Sequence, residues 1–305
     1  MLYLKSVEKA LKKLDKNKGA GPDELPAIFI KNCAATLAYP LYLIFNRSLA
    51  TGIFPDKWKF ANVVPIPKSG QADDILNYRP ISLLSHVSKV FESLICPYLS
   101  FQLQSILIAQ QHGFRNKMST VSNLTEYTTQ IIDNIDKGYQ VDAIYMDVSK
   151  AFDRVDHMIL ISKLYDAGIQ GTLLSWLSSY LSCRQQKVVV CGYESDPFRV
   201  PSGVPQGSHL GPMLFLVYIN DVCDNIKSSN FTLFADDLKI FKAIKTPLDS
   251  DSLQNDLNSI SDWSAKNKLP LNIKKCLLSV HQKKLVVCKV GLLTIVERDN
   301  VVRKY

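Results

Sequence analysis

The sequence predicts an α+β fold of two or three subdomains, and three observations carry that prediction. The chain has 305 residues, 47% of them hydrophobic, which is enough to bury sizeable cores. Its first 60 residues are mostly helical in pattern. From Val141 the apolar runs follow the order strand, helix, strand, loop, helix, hairpin, helix, which resembles a split βαβ unit. No internal repeat, low-complexity segment or flexible linker interrupts the pattern.

In chain order, Gly19-Ala20-Gly21-Pro22-Asp23 marks a turn between helical stretches, and Phe54-Pro55 precedes the Trp58 segment. Residues Ala61 to Gly70 read as a strand and turn, and Ile81 to Leu103 as predominantly helical and apolar. A strand beginning at Val141 is followed by helices over Asp156 to Ala167 and Leu173 to Leu181, then a strand over Gln186 to Cys191. Helices over Gly211 to Ile219 and Leu248 to Lys266 flank a hairpin formed by Phe231 to Phe234 and Leu238 to Phe241.

Chemistry concentrates where acidic residues end apolar runs. Ala143-Ile144-Tyr145-Met146 leads into Asp147, and Asp236-Asp237 sits at the tip of the predicted hairpin. Carboxylates are costly to desolvate, and like charges raise one another's pKa unless a cation stands between them. Three Asp at a strand end and a hairpin tip therefore suggest a divalent metal site, and hard oxygen ligands favour magnesium. Taken alone, Asp236-Asp237 is equally consistent with ordinary turn chemistry. Between the acidic motifs lies Ser202 to Pro212, a Gly/Pro-rich loop opening onto an apolar helix, where glycines let backbone N–H groups approach a phosphate or a base pair.

These motifs, in this order, resemble reverse transcriptases of the non-LTR (LINE, Jockey-like) retrotransposon class. Tyr145-Met146-Asp147-Val148-Ser149-Lys150-Ala151-Phe152-Asp153 resembles motif A, Gly203 to Pro212 motif B, and Phe234-Ala235-Asp236-Asp237 the motif C box. Val64-Pro65-Ile66-Pro67-Lys68 and Asn77-Tyr78-Arg79-Pro80-Ile81-Ser82-Leu83 resemble fingers motifs 1 and 2. Gln111-His112-Gly113-Phe114-Arg115 resembles the segment leading into the palm, and Asn267 to Cys276 resembles motif D.

The resemblance implies a right-hand polymerase with fingers and a palm of ferredoxin-like split βαβ type, its thumb absent or incomplete. It divides the chain into a fingers-like region at 1–140, a palm-like region at 141–276 and a divergent C-terminal tail at 277–305. It implies an RNA-directed DNA polymerase that extends a DNA primer on an RNA template with deoxynucleoside triphosphates; endonuclease activity would come from elsewhere. The expected metal ligands are Asp147, Asp236, Asp237 and the carbonyl of Val148, holding two Mg2+ ions, with Mn2+ as a substitute. Asp147, Asp236, Asp237 and Lys275 form the expected catalytic set. The Asn272-x-x-Lys spacing favours Lys275 over its neighbour Lys274 as the motif D lysine, a candidate proton donor to pyrophosphate. Lys68 and Arg79 match triphosphate contacts, Gln206 and Gly207 the motif B residues beside the nascent base pair, and Phe152 the aromatic gate beneath the sugar. Tyr78, Arg115 and Tyr145 are further candidates for substrate positioning, each equally suited to packing or surface roles. A non-catalytic nucleic-acid-binding remnant of such an element is the alternative reading.

Charge is distributed in a way that suits this reading. Residues 1–140 carry 16 Lys/Arg against 11 Asp/Glu, residues 141–265 carry 10 against 15, and residues 266–305 carry 10 against 2. An acidic middle between basic flanks fits a carboxylate centre walled by phosphate-neutralising side chains. The seven Cys contain no Cys-x-x-Cys spacing, so neither a zinc knuckle nor a disulfide framework is suggested. Lys5 interrupts the apolar start too early for a secretory signal, and Lys289 interrupts the run from Leu285 to Val296, which is too short to span a bilayer. A soluble intracellular protein is expected, the nucleus included, without a membrane partner.

Overall fold

The computed structural model describes residues 1–68, 73–282 and 286–289. The turn expected at Ser69-Gly70 and the tail from residue 290 onward lie outside the described residues. The chain opens with helices α1 (Leu4–Lys12), α2 (Ala27–Asn32) and α3 (Ala34–Thr51), followed by strands β1 (Phe60–Pro67) and β2 (Tyr78–Leu83). Helices α4 (His86–Leu103) and α5 (Thr120–Asp136) precede strand β3 (Gln140–Met146). Next come α6 (His157–Asp166), α7 (Gly171–Leu181), β4 (Arg184–Val190), β5 (Tyr193–Glu194), β6 (Phe198–Val200) and α8 (Leu210–Ile219). Strands β7 (Asn230–Phe234) and β8 (Asp237–Ile244), helix α9 (Pro247–Lys266), and strands β9 (Leu277–His281) and β10 (Val286–Lys289) complete the described order. The architecture is mixed α+β, as expected.

Local chemistry explains most boundaries. Gly52 ends α3 in a left-handed conformation at φ 69°. Asp156 caps α6 by accepting from the Met158 and Ile159 amides, while Ser119 with Ser122 and Thr246 with Asp249 form reciprocal capping boxes for α5 and α9. Pro247 occupies the first turn of α9, where its missing N–H costs nothing. One expectation is corrected: residues 81–83 are strand, not helix, because β2 pairs antiparallel with β1 from Tyr78 to Leu83 and α4 begins only at His86.

Two compact units interleave along the chain. The first combines Met1–Ile106 with Val155–Val217, and the second combines Leu107–Arg154 with the residues from Tyr218 onward. In the first unit β1 pairs antiparallel with β2 and parallel with β4, and β4 also carries β5 and β6. Its core is aromatic. Phe45 stacks on Phe91 with ring centroids 4.3 Å apart, Phe54 meets Trp176 and Tyr180 edge-on, and Trp176 Nε1 donates to Ser48 Oγ at 2.9 Å. Burying so much ring area contributes strongly to stability, with edge and stacked geometries adding about 0.5–1.5 kcal/mol per pair.

The second unit is built on a sheet of order β10-β9-β3-β8-β7 in which every pairing is antiparallel. Helix α5 belongs here because Tyr127 and Ile131 bury against Val141, Ala143 and Phe241. Strand β9, beyond motif D, pairs with β3 from Val141 to Tyr145, so the sheet continues past residue 276. The central position of β3 matters most for chemistry. It places the strand leading into Asp147 between the hairpin bearing Asp236-Asp237 and the strand that follows Lys275. Among the described residues no helix is long and apolar enough to cross a membrane.

Candidate active site

Strand register brings the three Asp together. Met146, the last residue of β3, pairs with Leu238, so Asp147 follows and Asp237 precedes the same cross-strand pair. The β7–β8 hairpin closes with Phe234 opposite Asp237, leaving Ala235 and Asp236 as its two turn residues. Ala235 has φ 56°, a region in which a side chain is unfavourable and which glycine occupies readily. A turn this tight projects Asp236 beside Asp237 at the end of the sheet.

The turn before β9 supplies the counter-charge. Asn272 donates its backbone N–H to the Asp147 carbonyl at 2.7 Å and its side-chain amide to Asp147 Oδ2 at 3.2 Å. Lys275 Nζ lies 2.8 Å from the same Oδ2. Val148 is buried and bridges Leu271, while the Ser149 amide donates to the Pro270 carbonyl at 3.0 Å, so motif A and the 270–275 stretch are laced together. In the sequence Asn272 is only a spacing marker; in the structure it is a direct partner of Asp147.

Electrostatics report the crowding of like charge. Burial pushes the Asp236 carboxyl up to about 6, and Asp237 and Asp147 add to the rise. Asp237 is raised as well, through loss of water and proximity to Asp147. Lys275 is raised in turn, first by its hydrogen bond to Asp147 and then by the charges of Asp147, Asp237 and Asp236. Among the described residues no three His, Cys, Asp or Glu side chains are gathered into a metal-holding group as they stand. The chemistry of the donor set nevertheless fits a hard divalent cation: neighbouring carboxylate charges raise the Asp236 and Asp237 carboxyls, with Lys275 as the resident positive charge.

Phe152 lies in a single 3-10 turn, Ala151–Asp153, entered through Lys150 at φ 51°. Its half-buried ring meets Phe114 edge-on, with centroids 5.8 Å apart. Two other candidates are engaged in structural contacts. Arg115 Nη1 donates to the Ile108 carbonyl at 2.5 Å, and Tyr145 shares a 2.7 Å hydrogen bond with Tyr127.

The remaining candidates belong to the first unit. Lys68 is exposed at the end of β1, where its backbone N–H donates to the Asn77 carbonyl, and exposed Arg79 lies in β2 opposite Ile66. Both occupy the same end of the β1–β2 pair. The motif B loop is seated on β2: Ser82 N–H donates to the Gln206 carbonyl at 2.7 Å. At Gly207, with φ 124°, a side chain would stand 2.7 Å from the Ser82 carbonyl oxygen, so only glycine fits. The far end of that loop is held by a residue the sequence did not flag. Fully buried Glu92 accepts from the His209 and Leu210 amides at 2.8 and 3.2 Å, capping α8, and burial holds its carboxyl above the usual range.

Comparison with known proteins settles the family. The reverse transcriptase (RNA-dependent DNA polymerase) family model matches residues 66–288, well over half of the chain. The chain belongs to the reverse transcriptase family. It is 33% identical over 288 residues to the probable RNA-directed DNA polymerase from transposon BS of Drosophila melanogaster, covering 90% of this chain and 31% of that protein. It is 31% identical over 287 residues to the RNA-directed DNA polymerase from the mobile element jockey of the same species, covering 90% and 31%. The corresponding protein of transposon X-element is 31% identical over 267 residues, covering 85% and 29%. The chain thus spans under a third of the length of these relatives. It is a reverse transcriptase domain of the non-LTR retrotransposon class.

Proposed function

We propose that this domain catalyses RNA-directed DNA synthesis, adding deoxynucleotides to a DNA primer 3′-hydroxyl on an RNA template. The observation that carries this reading is the convergence of Asp147, Asp236, Asp237 and Lys275 at one end of the second unit's sheet. The second unit corresponds to a palm, a reading supported by its strand order, and the first, with its β1–β2 pair and motif B loop, corresponds to fingers. Asp147, Asp236 and Asp237, with the Val148 carbonyl, would hold two Mg2+ ions, or Mn2+ in their place. When bound, such ions lower the pKa of the attacking hydroxyl and neutralise the triphosphate and leaving group.

The chain's own residues do the rest. Lys275 offsets the negative charge of the carboxylates and remains protonated, which makes it the candidate donor to departing pyrophosphate. Lys68 and Arg79 stabilise charge developing on the triphosphate, the guanidinium in a fixed fork and the ammonium as a mobile point charge. Gly207 lets the motif B loop sit tightly against Ser82 of β2 and Gln206 is held by its backbone to the same strand, the two standing beside the nascent base pair. Primer extension by the purified protein, with an RNA template, deoxynucleotides and Mg2+, tests the proposal. Binding of primer-template without any extension would overturn it in favour of a non-catalytic nucleic-acid-binding domain.

Binding itself should be dominated by phosphate contacts to basic side chains. Affinity for an RNA–DNA primer-template is expected to fall about a hundredfold between 50 and 200 mM salt if roughly four phosphates are neutralised, with little dependence on sequence. Fluorescence anisotropy across a salt series measures the slope, and salt-insensitive binding would contradict the assignment.

A further inference from the structure

Gln111 takes no part in the chemistry above, yet its side chain is aimed at the turn that carries Asp236. Gln111 is 2% exposed. Its Oε1 accepts from the Ala235 amide at 2.9 Å and from the Gly113 amide at 2.8 Å, and its Nε2 donates to the Ala235 carbonyl at 3.1 Å. One side chain therefore satisfies both backbone groups of the residue that has the positive φ. The surrounding backbone is fastened in the same place. Leu233 N–H donates to the Gln110 carbonyl and His112 N–H to the Leu233 carbonyl, each at 2.9 Å, and Asn123 Nδ2 donates to the Leu233 carbonyl at 3.0 Å. Gly113 lies so close that a side chain there would stand 2.3 Å from the Ala235 nitrogen. All of these contacts lie within the second unit.

Ala235 adjoins Asp236, so the peptide that Gln111 grips sets the direction in which the Asp236 carboxylate leaves the turn. A positive φ at a residue bearing a Cβ persists only where its surroundings over-determine it. We propose that Gln111 is a positioning residue for the acidic turn: its side-chain amide, backed by Gly113, locks Ala235 in its left-handed conformation and thereby holds Asp236 ready for a divalent cation. This rests on the reading of Asp236 as a metal ligand.

The test uses the full chain with Gln111→Met, which keeps the side-chain volume and removes all three hydrogen bonds, and with Gln111→Met combined with Ala235→Gly. Two readouts are independent of polymerisation: amide hydrogen exchange at residues 232–238, and Mn2+ affinity by electron paramagnetic resonance. In Gln111→Met, exchange at Ala235 and Asp236 is expected to quicken at least about tenfold and Mn2+ half-saturation to rise severalfold, with β3 and β9 protection unchanged. Ala235→Gly should recover much of the Mn2+ affinity, since glycine adopts positive φ without help. Parental exchange and Mn2+ affinity in Gln111→Met would overturn the proposal. So would a loss of affinity that Ala235→Gly leaves uncorrected, because that outcome assigns Gln111 to packing alone. Asp236→Asn, measured in parallel, separates the two readings: if it binds Mn2+ as the parent does, the metal assignment fails and the exchange data alone decide whether the clamp exists.

Discussion

Asp147→Asn and Asp236→Asn are each expected to lower primer extension by at least about a thousandfold, on the order of 4 kcal/mol of transition-state stabilisation, while the fold persists. The effect is electrostatic. Each substitution removes one of three closely placed charges at the end of the β3–β8 pair, and the amide that replaces it is a weak ligand for a hard cation. A control follows from the same geometry. The Asp236 carboxyl is raised from 3.8 to about 6 in the folded protein, so the folded state binds a proton that the unfolded chain releases near pH 4. Metal-free stability therefore falls as pH rises from about 4 to about 6, and stays reduced above that range. Asp236→Asn removes this penalty and should stabilise the metal-free protein by ~1–3 kcal/mol at pH 7, allowing for partial exposure of the site. That gain should shrink toward zero near pH 4. Thermal melts across pH check the stability, single-turnover extension checks the rate, and near-parental extension by either variant would remove the carboxylates from the mechanism.

The parts of this arrangement legible in the sequence are those written in local pattern. The hairpin at 230–244 was legible because apolar residues bracket an acidic dipeptide, and β3 because Ala143 to Met146 form one apolar run. Pairing of the two was not, since nothing local states that Met146 meets Leu238. Helix α5 escaped the pattern because its outer face keeps Val121, Leu124 and Ile132 exposed beside the buried Tyr127 and Ile131, which blurs the helical period. The interleaving of the two units has the same origin: α5 joins the second unit only through tertiary burial against β3 and β8. Gln111, Asn272 and Glu92 were beyond reach for a different reason. Each side chain bonds a group distant in sequence, backbone for Gln111 and Glu92 and the Asp147 carboxylate for Asn272, and polar side chains satisfied in that way leave no periodic signal. The segment Gln111-His112-Gly113-Phe114-Arg115 marks the right place in the chain but carries no local sign of what its glutamine does.

Phe152→Val is expected to raise ribonucleotide incorporation relative to deoxynucleotide incorporation by roughly a hundredfold, the ratio equivalent to a clash of about 2.7 kcal/mol. If the Phe152 ring lies beneath the sugar, it leaves no space for a 2′-hydroxyl, the group that distinguishes the two substrates. A gate works only if its ring cannot swing aside. Here the 3-10 turn at Ala151–Asp153 fixes the backbone, and Phe114, itself at φ 56°, braces the ring edge-on at 5.8 Å. The measurement is kcat/KM for a ribonucleotide and its deoxy counterpart on one primed RNA, before and after substitution. A ring that merely packs predicts a different result: losing it would slow both substrates together and leave their ratio unchanged. Because the carboxylates and Lys275 are untouched in this variant, a shift in the ratio with the deoxynucleotide rate largely retained can come only from the space beneath the sugar, and that outcome would fix the position of the incoming nucleotide relative to Phe152.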